Sequence, residues 1–288
     1  MYAQLRGLHC ELHVLPNDAT LADLWASGVL GADPGNCVLA LDFDQTLTQV
    51  DKSAPAGQQL KMRGGEASRR ALQQMHAAGV TLLIITAQSP SVQTIVNLAG
   101  EVRHLGLQSL FGLTADGGPA ADEPPSPPKL LSGSSSMSVA HTIASAAAPD
   151  VPVVVTLDGG VKIARMANLL AARYNKPEAF EYWLRNCAPS GKPSPTRLAF
   201  VDDNSDNAVS MFMHFAASEM RRNDGEAAAR PTAPDAGAPC IPICAVWYPP
   251  PAGLKGETFD EDTRALLMAV SKGEIAAGGA LASGVHVS

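Results

Sequence analysis

The sequence predicts an α/β fold built on a mostly parallel sheet, and three observations carry that expectation. Apolar runs at 37–41, 81–85, 152–157, 197–201 and 241–247 are nearly unbroken, as strands covered on both faces must be. Amphipathic stretches separate them, the order expected of crossover helices. The third is composition: of 288 residues, 46% are apolar and only 17% charged. A chain so constituted can bury a sizeable core, which excludes wholesale disorder.

Taken in order, residues 1–36 read as an N-terminal extension packed on the core that begins with strand 37–41. A helix is expected over 66–78, closed by Gly79, with Leu72 and Met75 facing inward. After strand 81–85, Ser89 and Pro90 look like an N-cap and a first-turn proline, and Val92, Ile95, Val96 and Ala99 follow at helical spacing. The same spacing at Ile163, Met166, Ala167 and Leu170, and at Val209, Phe212, Met213 and Ala216, predicts helices beside the later strands. A short helix over 178–186 carries Phe180, Trp183 and Leu184. Two stretches interrupt this order, 115–138 (Gly, Pro and Ser) and 223–239 (Ala, Pro and Gly), and both are expected to be flexible surface insertions in a main domain spanning 37–274. The Ala/Gly-rich stretch 275–288 reads as a disordered tail.

Charge and cysteine content narrow the partners. Acids outnumber bases by 28 to 21, a formal charge of −7 with no basic stripe, so stable binding to duplex nucleic acid is not expected. The apolar runs fall short of the ~20 residues of a membrane span, and the first residues do not combine a basic start with an apolar stretch. No membrane association and no secretion are expected. Five cysteines without C-x-x-C pairing suggest reduced thiols and a cytoplasmic protein.

The chemistry lies in the acids. Strand 37–41 runs into Asp42-Phe43-Asp44-Gln45-Thr46. In an extended segment Asp42 and Asp44 would share one side and Phe43 the other. Open α/β sheets bind ligands beyond the carboxyl ends of their strands, where this pair falls. Two carboxylates held together repel unless a cation joins them, and a divalent metal with a phosphate ester accounts for that cost. Asp42 would attack phosphorus, while Asp44 protonates the leaving alkoxide and later deprotonates water. The plainer alternative is a solvated Asp turn after a strand. A second strand, 197–201, also ends in acids, Asp202-Asp203-Asn204-Ser205-Asp206-Asn207. If the strands are parallel neighbours, Asp202 faces Asp42 across a gap fit for Mg²⁺, which prefers hard oxygen ligands. Its alternative is an Asx-rich cap on a helix starting near Asn207, a task open to Asp206.

These elements resemble the four ordered motifs of the haloacid dehalogenase (HAD) superfamily, phosphatase type. The matching residues are Asp42-x-Asp44-x-Thr46, Thr86 at the end of Leu82-Leu83-Ile84-Ile85, a lysine opening a later helix, and Asp202-Asp203 with Asp206. The resemblance spans about residues 37–247. It implies a Rossmann-like three-layer core, Mg²⁺ dependence and an aspartyl-phosphate intermediate. Asp42 would be nucleophile and metal ligand; Asp44 would be acid/base and lend its backbone carbonyl to the metal. Asp202 would be the ligand from the second strand, with Asp203, Asp206 and Thr46 in the outer shell. The second Asp of the first motif matches phosphatases and phosphomutases rather than dehalogenases. Thr86 would donate to a phosphoryl oxygen. For the cation that offsets the phosphate charge, Lys162 is favoured because it follows Asp158-Gly159-Gly160-Val161 and precedes the periodic stretch; Lys176, in Asn175-Lys176-Pro177-Glu178, is the alternative, and Lys192 is the weakest.

A full cap domain does not fit. Residues 47–66 leave room for a flap only, and 88–161 hold one helix and a low-complexity loop, so an open site for a phosphorylated small molecule or macromolecule is expected. The expected function is Mg²⁺-dependent phosphomonoester hydrolysis. The alternatives are a phosphotransferase or phosphomutase using the same intermediate, and a non-catalytic scaffold retaining the fold. Trp247-Tyr248 before Pro249-Pro250-Pro251 reads as a strand ending in a rigid turn rather than an exposed aromatic ledge. Cys240 with Cys244, and His9 with His13, are paired by strand alternation but are not expected to bind metal.

Overall fold

The computed structural model describes residues 10–55, 57, 59–114, 150–188, 193–223 and 241–250. In chain order its elements are β1 (Glu11–Val14), α1 (Leu21–Ala26), β2 (Cys37–Leu41), β3 (Thr48–Val50), β4 (Leu60–Met62), α2 (Gly65–Ala77), β5 (Thr81–Thr86), α3 (Val92–His104), β6 (Val153–Thr156), β7 (Lys162–Met166), β8 (Leu169–Ala171), α4 (Lys176–Asn186), β9 (Arg197–Asp202), α5 (Ser205–Asn223) and β10 (Ile243–Trp247). The chain is mixed α/β with a mostly parallel sheet and a Rossmann-like, three-layer core, as the apolar runs predict. It forms two compact units, residues 1–82 with 193–288, and residues 83–192.

In the first unit the strand order is β1-β10-β9-β2, all parallel. β2, β9 and β10 owe their place to unbroken apolar sequence: Leu39, Ala40, Leu41, Ala199, Phe200, Ala245 and Val246 are all buried. The N-terminal extension does more than pack on this core, because β1 is itself a strand of the sheet, with Glu11 opposite Cys244 and Val14 opposite Trp247. α1 starts on a capping box, in which the Thr20 hydroxyl accepts from Ala22 N–H and Asp23 accepts from Thr20 N–H at 2.7 Å. α2 buries Ala71, Leu72 and Met75 and ends before Gly79, as expected. Gly79 is required twice over: its φ is +91°, and a Cβ there would lie 3.0 Å from the Cα of Gly35. Among the described residues between β2 and α2, the strands are those of the antiparallel hairpin β3–β4.

In the second unit β5 pairs in parallel with β8, while β8–β7 and β7–β6 are antiparallel. This corrects two expectations. The stretch Ile163 to Leu170 is not a helix but the β7–β8 hairpin, with Ala167 at φ 49° in its turn. Nearly every residue there is apolar and buried, so helical spacing is satisfied by accident; an apolar run of this kind cannot report its own period. Strand 152–157 is not covered on both faces either. As β6 its residues alternate between half-buried and exposed, with Val154 42% exposed.

The other helices keep their predicted places with shifted ends or faces. α3 is capped by Ser91, whose hydroxyl accepts from Thr94 N–H at 3.1 Å, and not by Ser89. α4 begins at Lys176, with Pro177 in its first turn and Phe180 and Trp183 buried. α5 buries Ala208, Met211 and Ala216 while Met213 is 46% exposed, so its inner face is rotated from the Val209–Phe212–Met213 spacing. The insertion 115–138, most of 223–239 and the tail 275–288 lie outside the described residues. Among the described residues, Cys10, Cys37, Cys187 and Cys244 form no disulfide, and no helix is long and apolar enough to cross a membrane.

Candidate metal centre

β2 and β9 are parallel neighbours in a register that places Leu41 opposite Val201, so the next residue of each strand, Asp42 and Asp202, emerges at the same carboxyl edge. The Asp42 N–H donates to Val201 O at 2.9 Å, which carries the ladder one residue past β2. Asp42, Asp202 and Asp203 each offer a carboxylate oxygen, and these oxygens all lie within 4.8 Å of one another. The first two side chains are buried, Asp42 4% exposed and Asp202 0%.

The chain leaves β2 differently from the extended path the alternation argument assumes. Phe43–Leu47 form a single wide turn closed by Thr48 N–H donating to Phe43 O, and Gln45 adopts a left-handed φ of 62°. The extended path therefore ends at Asp42, and strand alternation does not govern Asp44. Phe43 is buried and Asp44 is exposed. Thr46 is buried and faces the second acidic segment: its hydroxyl donates to the Asp203 carboxylate at 3.3 Å and accepts from Asp203 N–H at 2.8 Å. Asp203, expected in the outer shell, is thus held within reach of the other two acids.

The exit from β9 is local. Asn204 caps α5, its side-chain oxygen accepting from Asp206 N–H at 2.8 Å, so the cap is Asn204 rather than Asp206 and the helix opens at Ser205. Asp206 is exposed in the first turn, where a negative charge suits the helix dipole. The Asp202 carboxylate accepts from Asn204 N–H at 2.9 Å and from the Asn207 amide at 3.1 Å, which fixes its orientation.

Three further residues shape this edge. Trp247, buried at the end of β10, donates through Nε1 to Asp203 O at 2.9 Å. Tyr248, fully buried, donates its N–H to Asp202 O at 2.8 Å and its hydroxyl to Ala19 O at 2.5 Å. Arg63, 3% exposed, donates to Gln45 O at 2.7 Å, to Tyr248 O at 3.1 Å and to Pro249 O, with its guanidinium stacked on the Tyr248 ring. Burial lowers the pKa of Arg63, while Tyr248 and Asp203 act in the opposite sense. The Trp-Tyr-Pro run carries a sequence signal for a buried strand end. Arg63, in Met62-Arg63-Gly64-Gly65, carries none, since its partners are distant in sequence.

The remaining candidates belong to the second unit. Thr86 ends β5 fully buried, its hydroxyl accepting from Gln88 N–H at 3.3 Å and its carbonyl from Ala172 N–H at 3.1 Å. Lys162 is exposed and opens strand β7, not a helix. Lys176 is the residue that opens a helix, and it is 1% exposed. Lys192, His9 and Cys240 lie outside the described residues.

A second cluster, Glu11, His13 and Cys244, also has its ligand atoms within 4.8 Å. Its charges are already engaged: Glu11 accepts from His13 at 3.1 Å and from Arg197 at 2.8 Å. Burial opposes ionisation of Glu11, but these partners hold its pKa below the usual value. Burial also pushes the Cys244 thiol up to about 12, which disfavours the thiolate a metal needs.

Fold and edge together define the class, an α/β protein with three carboxylates gathered at the carboxyl ends of adjacent parallel strands. Comparison with protein-family models, curated proteins and solved structures finds no match.

Proposed function

We propose that the protein is a Mg²⁺-dependent phosphomonoester hydrolase of the HAD type, acting through an aspartyl-phosphate on Asp42. The observation that carries this reading is the convergence of Asp42, Asp202 and Asp203, two of them buried, on one strand edge. Buried like charges are costly unless a cation joins them. The donors are all hard carboxylate oxygens, which fits Mg²⁺. Asp42 and Asp202 would hold the ion, with the Asp44 carbonyl as the resemblance implies; when bound it would neutralise phosphate charge.

The protein's own groups supply the remaining steps. An Asp42 carboxylate oxygen attacks phosphorus, and the bond from phosphorus to the ester oxygen breaks. Asp44 gives its proton to the departing alkoxide. Asp44, now ionised, takes a proton from a water that attacks the phosphorus, and the P–O bond to Asp42 breaks to release inorganic phosphate. The exposure of Asp44 suits a group that must meet both leaving group and solvent, and the buried Thr46 keeps Asp203 in place.

The resemblance further assigns the Thr86 hydroxyl and a lysine to the phosphoryl oxygens. Of the candidates, Lys176 fits the pattern of a lysine opening a helix and Lys162 does not. The short β3–β4 hairpin supports an uncapped site open to a phosphorylated small molecule or macromolecule, and the lack of disulfides among the described cysteines accords with a cytoplasmic setting. The test is hydrolysis of p-nitrophenyl phosphate by the full chain with and without Mg²⁺. Asp42→Asn is expected to lower Mg²⁺-dependent turnover by about 10³-fold or more; unchanged turnover in that variant rejects the mechanism.

A further inference from the structure

Burying a guanidinium is expensive, and an arginine stays inside only when its donors are well used. Arg63 spends its donors on backbone carbonyls of two segments that carry the site. One is Gln45 O, 18 positions back in the wide turn that contains Asp44. The others are Tyr248 O and Pro249 O, just past β10. Tyr248 is in turn bonded through its N–H to Asp202 O. The guanidinium thus bridges the turn after Asp42 to the segment that supports Asp202.

The turn needs such a bridge. Gln45 is left-handed, a conformation that crowds the Cβ of any residue but glycine against the backbone. Neutral or flexible side chains cannot reproduce the bridge: lysine keeps the charge but is a point donor, whereas the planar fork reaches several acceptors at once. Stacking on Tyr248, itself anchored through its hydroxyl to Ala19 O, locks the fork in place.

We infer that Arg63 is a positioning residue, which clamps the Gln45 turn against the Tyr248–Pro249 segment and so sets Asp44 relative to Asp42 and Asp202. Its consequence for catalysis rests on the phosphatase reading above; its consequence for the turn does not. The test uses Arg63→Lys and Arg63→Met in the full chain, with hydrogen exchange followed by peptide and p-nitrophenyl phosphate kinetics in Mg²⁺. In Arg63→Lys, exchange is expected to accelerate over residues 43–48 while α2 and β9 keep their protection. The value of kcat falls by about 10–100-fold with KM little changed, since a displacement of order 1 Å in a catalytic group costs on this scale. Arg63→Met is expected to show the same local loosening and a loss of kcat at least as large.

Wild-type exchange and kcat in Arg63→Lys overturn the inference. So does uniform loss of protection across the first unit, which marks Arg63 as a general core residue. Should Arg63→Met fail to fold, Arg63→Lys alone decides. The Asp42→Asn control separates the two ideas: if that variant keeps full turnover, the phosphatase reading fails, and exchange over 43–48 in Arg63→Lys decides the clamp by itself.

Discussion

Two acid-tipped strands, β2 and β9, run side by side through the same core with similar sequences, yet their carboxylates are held in place by opposite means. Past β9, the chain turns at once into α5, and the bonds that orient Asp202 come from Asn204 and Asn207, within a few residues of it. Past β2, the chain makes a wide turn through a left-handed Gln45. That turn is held through contacts distant in sequence: its Phe43 is buried in the core, its Thr46 reaches Asp203, and Arg63 donates to its Gln45 carbonyl. A carboxylate at a strand end is therefore cheap to orient when a helix follows, because capping is local. It depends on the whole unit when a flap follows. The difference also divides the chemistry: the locally held Asp202 has a fixed ligand's role in the proposed mechanism, whereas the distantly held segment carries both reacting acids.

The sharpest way to break this comparison is to empty the space under the first turn. Phe43→Ala removes a fully buried ring and is expected to cost about 3–5 kcal/mol in urea unfolding. A cost below about 1 kcal/mol would show that the turn holds itself and that the contrast is false. Next in size is the response to a cation. Asp202→Asn keeps an acceptor for Asn204 and Asn207 but removes one charge from the cluster. Its thermal midpoint without divalent ions is expected to hold or rise, and the stabilisation that saturating Mg²⁺ gives the wild type, about 2.7 kcal/mol at a hundred times Kd, is expected to vanish. A Mg²⁺-induced shift equal to wild type would remove Asp202 from the metal. The smallest effect belongs to the local exit: Asn204→Ala should cost about 1 kcal/mol, the usual value of a lost N-cap. A loss as large as that of Phe43→Ala would erase the distinction.

How much was legible follows the same division. β2 and β9 were readable because both faces of each strand are covered, which demands unbroken apolar sequence. The carboxylates were readable because a hydrophobic strand that ends in Asp announces where polar chemistry begins. α2 and its closing Gly79 were readable from period and cap. The β7–β8 hairpin was not: Ile163 to Leu170 is apolar almost throughout, and such a run fits a helix and a strand equally. Asp44's departure from strand alternation was hidden as well, because the wide turn is made by an ordinary glutamine at positive φ, with no glycine to mark it. Arg63 was invisible, since a lone arginine before two glycines looks like any surface charge until its partners at positions 45, 248 and 249 are in place.

From its residues alone the chain is committed to an α/β fold and to acids at the ends of two strands, because hydrophobic burial and strand length act within a few residues and leave their period in the sequence. Tertiary structure alone decided that those strands are neighbours in one register, so that Asp42, Asp202 and Asp203 meet. It also decided that a buried guanidinium bonds to the turn that follows Asp42. Strand pairing and buried hydrogen bonds join positions far apart in the chain, and the pattern of either partner by itself does not encode its mate.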